Sequence, residues 1–314
     1  MHEMPAEFEI RVPGSIANLG PGFDTLAVAV QLYLHLNVRV VSGSNHLHFD
    51  FKDCVVDGEN YIERAFLFLA RQRGGDFPSL SIEVRTEIPM KGGLGSSAAA
   101  TVAGLRLYEA IAGPLPEQGL LNAACALEGH PDNVAAALLG ALTISCQLTD
   151  RSAFAVRLRW PERLKCLVVT PQLALSTAAS RGVLPEWIRR EDAVFNLQRV
   201  ALLLQALQGG NFALLREALQ DRIHQPFRGR IVPGLEAALA LQHPDILGIC
   251  LSGAGPSIVA FAERNFEELE ALLGSIFEHL AVPFVIRRLT VHQEAEEIFD
   301  HTPAEAASGG RLLH

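Results

Sequence analysis

Between Ser79 and Ala112 the hydrophobic period of the chain changes from two to that of a helix across a glycine-rich loop, and few folds accommodate that junction. "SLSIEV" places Leu80, Ile82 and Val84 on one side, as a half-buried strand does. "SSAAATVAGLRLYEAIAG" then offers good helix formers, with Arg106 and Glu109 expected on a polar side and a stop at Gly113-Pro114. Between them lies "IPMKGGLG". A strand feeding a glycine loop and then a helix N-terminus makes an anion site. Glycines let the backbone approach closely, free N–H groups point at the ligand, and the helix dipole favours negative charge. Ser96 and Ser97 would add hydroxyl donors or a metal ligand. The loop lacks the Gly-Lys-Ser/Thr ending of a Walker A loop, and no serine in it has Gly-x-Ser-x-Gly spacing. A tight turn entering a small-residue helix would give the same letters, so the loop alone leaves both readings open.

On either side the chain reads as mixed α and β. "EFEIRV" alternates Phe8, Ile10 and Val12 against charged neighbours and ends at "PGSIANLGPGFD", expected as a loop. A longer strand carries Leu32, Leu34, Leu36, Val38 and Val40 on one face and Tyr33, His35, Asn37 and Arg39 on the other. Helices are expected over roughly 117–129 and from "PDNV" to Gly140, with the strand "ALTISC" behind. Charged "RLRWPERLK" marks a domain boundary near Arg159–Pro161, dividing residues 1–160 from 161–299. The second half offers the strand "LKCLVVT", a helix-rich stretch over 190–222, a helix at 234–242, and the strands "ILGICL" and "IVAFA" joined by "SGAGPS". A helix at 266–280 and the strand "FVIRRLTV" follow. That order predicts an antiparallel sheet with helices on one face, an α+β arrangement. Residues 300–314 have no periodicity and are expected to fray.

Composition removes several function classes. A net charge of -9 without a Lys/Arg block argues against nucleic acid as a partner. The longest uncharged stretch, Asn133–Thr149, is interrupted by Gly140 and falls short of a membrane span. The N-terminus has no apolar signal core, so a cytoplasmic location is expected. Cys54, Cys125, Cys146, Cys166 and Cys250 form no CxxC pair and read mainly as small core residues.

Three further segments carry chemistry. "EGHPDN" sets Glu128, His130, Asp132 and Asn133 between two helices; Asp132 could cap the second helix behind Pro131, and Glu128 could ligate a hard cation such as Mg²⁺. "LGPGFDT" and "LSGAGPS" are glycine turns at strand ends, each ordinary alone.

Together and in this order, "PGSIANLGPGFD", "IPMKGGLGSSAA" and "LSGAGPSIVAF" resemble the three motifs of the GHMP kinases. "ANLGPGFDTLAVAV", "EGHPDNVA", "LSTAASRGVLP" and "IHQPFR" resemble their homoserine kinase branch, over about residues 8–291. The resemblance implies a two-domain α+β fold, with a ribosomal-protein-S5-domain-2-like nucleotide domain followed by a ferredoxin-like domain. It also implies a homodimer and ATP- and Mg²⁺-dependent phosphorylation of the L-homoserine side-chain hydroxyl in threonine biosynthesis. Pro89, Lys91, Gly92, Gly93, Leu94, Gly95, Ser96 and Ser97 match the triphosphate loop, and Asn60 in "GENYI" matches an adenine-pocket position. Ser97 and Glu128 match the metal ligands. Asn18, Asp24, His130, Asn133, Thr177, Arg181, Arg228 and Gly255 match acceptor-site positions.

Two guanidinium groups suit an α-carboxylate and Asp24 an ammonium, while Asn18, Asn133 and Thr177 can orient polar groups. His224 and Gln225 read as positioning the Arg228 segment. Ser97, Glu128, Asn133 and His130 are the catalytic candidates. His130 is the nearest base; otherwise the proton passes directly to a phosphate oxygen. The sequence departs from the family pattern at Lys91, where a glycine-like residue is usual; a positive φ there would strain a lysine. A kinase for another small alcohol, such as mevalonate or a sugar, and a non-catalytic nucleotide-binding regulator remain the alternatives.

Overall fold

The alternation at Leu32–Val40 belongs to a 19-residue strand that serves as the spine of the first of two sheets. The computed structural model describes residues 5–52, 54, 58–173, 175–294 and 298–300; of the expected tail, all but Asp300 lies outside the described residues. In chain order the first half forms β1 (Glu7–Ala17), β2 (Leu26–Ser44), β3 (Leu47–Phe51), α1 (Tyr61–Arg73), β4 (Pro78–Thr86), α2 (Ser96–Ala112), α3 (Glu117–Glu128), α4 (Asp132–Leu139), β5 (Leu142–Gln147) and β6 (Ala153–Leu158). The second half forms β7 (Lys165–Pro171), α5 (Thr177–Gly182), α6 (Arg190–Gly209), a 3₁₀ turn (Phe212–Leu214), α7 (Leu215–Ala218), α8 (Gln225–Arg228), α9 (Leu235–Leu239), β8 (Gly248–Leu251), β9 (Ile258–Ala262), α10 (Phe266–His279) and β10 (Phe284–Leu289). Finally β11 (Ile298–Asp300) returns to pair with β1.

The first sheet runs β11-β1-β2-β4-β3, with β5 beside the opening of β2 and β6 beside β5. The β3–β4 pair is parallel and the others are antiparallel. β1 continues to Ala17, so the loop expected from Pro13 starts five residues later, at Asn18. A register shift between Pro13 and Gly14 allows this extension, and Ser15 N–H then donates to Leu94 O at 3.0 Å. The strand end thereby holds the glycine loop in place.

α2 is buried on nearly every side because its residues are small. A Cβ at Gly104 would stand 2.2 Å from the Ile62 carbonyl oxygen, so the α1–α2 approach requires glycine there. Arg106 and Glu109 do not form a solvated side. They pair at 2.7 Å in a buried setting, and Glu109 also accepts from Leu115 N–H, which satisfies the charge the helix carries inward.

The second sheet has the order β10-β7-β9-β8 and is antiparallel throughout, the ferredoxin-like arrangement expected. α10 packs Leu269, Leu273 and Phe277 against Leu167 and Val169 of β7. The opposite face is also covered: Cys166, Val168 and Phe261 cluster with Leu203, Ala206 and Leu207 of α6 and Leu215 of α7. This corrects the expectation of helices on one face, and it explains why "KCLVVT" is apolar without alternation. Cys166 and Cys250 are core residues as expected, with burial pushing the Cys166 thiol up to about 12. Cys54 and Cys125 are half-buried, and Cys146, near the end of β5, is exposed.

The turn between β8 and β9 joins the lobes. Gly253 N–H donates to Ala17 O at 3.0 Å, Ser257 N–H to Gly92 O at 3.1 Å, and Ser252 Oγ to Gly93 O at 2.6 Å. Three of the sequence motifs therefore meet at one seam.

Candidate active site

The glycine loop is shaped by backbone geometry that side chains resist. Lys91, Gly93 and Gly95 have φ of 55°, 79° and 73°. A Cβ at Gly93 would lie 2.6 Å from Gly255 O, and one at Gly95 would lie 2.1 Å from Ser15 Oγ. Lys91 does sit in the left-handed region, a strain of roughly 1 kcal/mol for a residue with a Cβ. Pro89, Gly92 and Leu94 support the loop from behind: Gly92 N–H donates to Pro89 O, and Leu94 is fully buried. α2 has Gly95 at its N-cap position, so it carries no side-chain cap, and it has no acidic residue in its first turn. Its first N–H groups are therefore available to an anion, across the wall formed by Gly93, Gly95, Ser96 and Ser97.

Glu128, the last residue of α3, reaches that wall. Its Oε2 accepts from Ser97 Oγ at 2.8 Å and its Oε1 from Thr101 Oγ1 at 2.9 Å, with Arg64 Nη2 3.5 Å away. A carboxylate and a hydroxyl in contact beside an anion-binding helix terminus are hard oxygen donors of the kind Mg²⁺ takes together with phosphate oxygens. Asn60 is engaged as a helix cap. Its Oδ1 caps α1 by accepting from Ile62 and Glu63 N–H, and it is Tyr61 and Arg64 that line the cleft.

The cleft, about 270 Å³, continues to a second wall of charged groups. Arg181 grips Asp24 through two bonds, Nη1 to Oδ2 at 3.0 Å and Nη2 to Oδ1 at 2.7 Å. Asn18 holds the Asp24 backbone N–H through Oδ1 and donates from Nδ2 to Gly253 O. Thr177 and Gly255 line the same wall. Ser176, rather than Thr177, caps α5 by accepting from Ala179 N–H, so the Thr177 hydroxyl is not used as a cap. Asn133 accepts from Ser15 Oγ at 2.7 Å, tying the acceptor end to the glycine loop.

Arg228 is 2% exposed and its hydrogen-bond partners are all neutral: Ser180 O, Gly253 O and His224 Nδ1. Burial, followed by the neighbouring charge of Arg181, brings its pKa down to about 10, which leaves it cationic at neutral pH. A buried cation without a carboxylate partner is a receptor for an anion. His224 fixes its aim. Nε2–H donates to Gly20 O at 2.7 Å, which leaves Nδ1 to accept from Arg228 at 3.1 Å. Asp221 steadies the segment by accepting from the N–H groups of Ile223, His224 and Gln225.

Burial, the largest influence, holds the His224 pKa below its ordinary value. Above about pH 6.5 the imidazole is neutral in both folded and unfolded chains. As pH falls below that, the unfolded chain takes up the proton first and this contribution to stability is lost. His224→Asn keeps an acceptor for Arg228 but cannot titrate. It is expected to lose less stability than the parent between about pH 7 and pH 5, measured by urea unfolding at both values. Equal losses would show that His224 is not held neutral.

Tyr61 and Arg64 carry no expectation from the sequence, and Asp132, expected as a helix cap, has a different role. It is the first residue of α4 and makes no capping bond; its Oδ1 accepts from His130 Nδ1–H at 2.6 Å. Burial, the largest influence on His130, lowers its pKa, but the hydrogen bond and charge of Asp132 outweigh it and the net direction is upward. Asp24, His130 and Asp132 face one another within the cleft. Their convergence depends on chain crossing between distant segments, which no local pattern reports.

The family model described as the GHMP kinases N terminal domain matches residues 60–141, and the GHMP kinases C terminal model matches residues 203–279. A homoserine kinase of Solibacter usitatus is 42% identical over 277 residues, covering 86% of this chain and 90% of its own. A homoserine kinase of Deinococcus radiodurans is 41% identical over 262 residues, covering 82% and 85%. The crystal structure of homoserine kinase from Cytophaga hutchinsonii superposes with a TM-score of 0.82 over 95% of this chain and 99% of that one; at 24% identity it speaks to the fold. With two family models matched in order and relatives above 40% identity along most of its length, the chain belongs to the homoserine kinases of the GHMP kinase family.

Proposed function

We propose that this chain transfers the γ-phosphoryl group of ATP, with Mg²⁺, to the side-chain hydroxyl of L-homoserine, giving O-phospho-L-homoserine in threonine biosynthesis. One observation carries the reading: Arg181, Arg228 and Asp24 stand in the same cleft as the uncapped N-terminus of α2. Two cations and one anion match an amino-acid zwitterion, and the helix terminus matches a polyphosphate.

The chain's residues then divide the work. Gly93, Gly95, Ser96 and Ser97 bind the polyphosphate, and Lys91 contributes a cation at the rim. Ser97 and Glu128 would hold Mg²⁺, which when bound would supply charge neutralisation for the polyphosphate. Asp24 takes the ammonium, and Arg181 and Arg228 take the carboxylate. Asn18, Thr177 and Gly255 shape this end, and Asn133 and His130 face the hydroxyl. Asp132 accepts from His130 Nδ1–H, which fixes the ring and leaves Nε2 as its other nitrogen. The hydroxyl proton passes directly to a phosphoryl oxygen. We take Arg159–Pro161 as the division between an N-terminal ATP-binding domain, residues 1–160, and a C-terminal domain, residues 161–299. The reading further includes a cytoplasmic homodimer with no role for nucleic acid. Among the described residues no helix is long and apolar enough to cross a membrane.

The test supplies purified protein, ATP and Mg²⁺ with homoserine, threonine, serine or mevalonate, and identifies the product by phosphorus NMR. Homoserine is expected to give a phosphate monoester at a rate well above the others. Faster turnover of mevalonate would replace the amino-acid reading with that of another small-alcohol kinase.

A further inference from the structure

Arg64 has no part in the family motifs of this sequence, yet it lines the cleft beside Ser96, Ser97 and Glu128. It lies one turn into α1 and lays its guanidinium over the Tyr61 ring, with Cζ 4.4 Å from the centroid. Nη1 contacts Glu59 Oε2 at 2.9 Å, and Nη2 reaches Leu127 O at 3.3 Å and Glu128 Oε1 at 3.5 Å. Nε is buried and has no hydrogen-bond partner.

These contacts are unequal in a telling way. The Glu59 contact has the length of a charge-assisted hydrogen bond, whereas that to Glu128 is well beyond it. The guanidinium thus compensates the Glu128 charge loosely, from the position a bound cation would contest. A cation arriving at Glu128 repels it, and the cleft that Arg64 lines lies next to its donors. A buried Nε–H without an acceptor is costly, so a shift of the guanidinium that supplies one is favoured, and phosphate oxygens are the acceptors such a fork recognises.

We infer that Arg64 is a further nucleotide-binding residue. It partners Glu128 before the metal arrives and shifts to the oxygens of the nucleotide polyphosphate once the metal takes that carboxylate. Tyr61 supports the guanidinium plane in both positions. The inference rests on the proposed function, which puts polyphosphate and Mg²⁺ at this wall.

The test is calorimetric titration of the parent, Arg64→Met and Arg64→Lys with MgATP, MgADP and AMP, together with electron paramagnetic resonance titration of nucleotide-free protein with Mn²⁺. Arg64→Met is expected to weaken MgATP and MgADP by roughly 10- to 100-fold, the loss of one hydrogen bond to a charged group, and AMP much less. It is also expected to tighten Mn²⁺ several-fold, because the competing cation is gone. MgADP affinity within twofold of the parent overturns the binding role, and unchanged Mn²⁺ affinity overturns the exchange. If Arg64→Met does not fold, Arg64→Lys decides: a several-fold weaker MgADP supports the role and an unchanged value overturns it. Glu128→Gln separates this from the underlying reading. If that variant binds Mn²⁺ as the parent does, the assignment of Glu128 fails whatever Arg64 does.

Discussion

Replacing Glu128 with Gln is expected to lower kcat by roughly 100- to 1000-fold at saturating ATP and homoserine. The side chain receives a hydroxyl on each oxygen, Ser97 on one and Thr101 on the other. Glutamine is isosteric, its carbonyl still accepts one hydroxyl, and its amide donates to the other, so the local fold survives. What disappears is the negative charge. At the terminus of α2 there remain the neutral Ser97 hydroxyl and backbone N–H groups; the N–H groups suit a polyphosphate, and a single neutral hydroxyl holds a divalent cation weakly. The loss should therefore shrink as Mg²⁺ is raised, while thermal stability stays near that of the parent. Turnover within twofold of the parent across a Mg²⁺ titration would remove Glu128 from the metal site.

Arg181→Ala is expected to raise the KM for homoserine by roughly 30- to 300-fold and leave the KM for ATP nearly unchanged. The lower bound reflects partial exposure: the Arg181 side chain is 37% accessible, so water weakens the interaction it makes. The present partner of Arg181 is Asp24, held by two bonds, and a zwitterion offers each of them a new partner of opposite charge. Binding is then an exchange of ion pairs in which neither charge is left alone, so specificity for a molecule carrying both groups follows. Arg181→Lys should recover part of the affinity, since it keeps the charge and loses the fork. An acceptor without a carboxylate would be indifferent to both substitutions, so an unchanged acceptor KM in Arg181→Ala counts against the amino-acid reading.

How much of this was legible follows from what each signal depends on. The strand, loop and helix from Ser79 to Ala112 were readable because a change of period is local. The four strands of the second sheet were readable as apolar runs between glycine turns. α1 went unread although Asn60 with Glu63 three residues later is a capping pattern, followed by apolar Ile62, Ala65, Phe66 and Leu69. β3 and β6 are short and half-exposed, so their alternation is faint. Lys91 posed a question that only backbone geometry answers: its φ is 55°. The Asp24–Arg181 pair and the Asp132–His130 pair differ in the same respect. The second spans two positions and could have been suspected, while the first joins residues 157 apart and required the fold.

The most direct measurement compares three acceptors at saturating MgATP: homoserine, 4-hydroxybutanoate, which lacks the ammonium, and 3-amino-1-propanol, which lacks the carboxylate. All three present a primary hydroxyl on a similar chain, so chemical reactivity is nearly constant and only recognition by Asp24, Arg181 and Arg228 varies. The account predicts that kcat/KM falls by at least roughly 100-fold for each truncated acceptor, because each leaves a charged group of the site without its partner. Equal kcat/KM for the three would contradict it, since a site indifferent to both charges is not an amino-acid site.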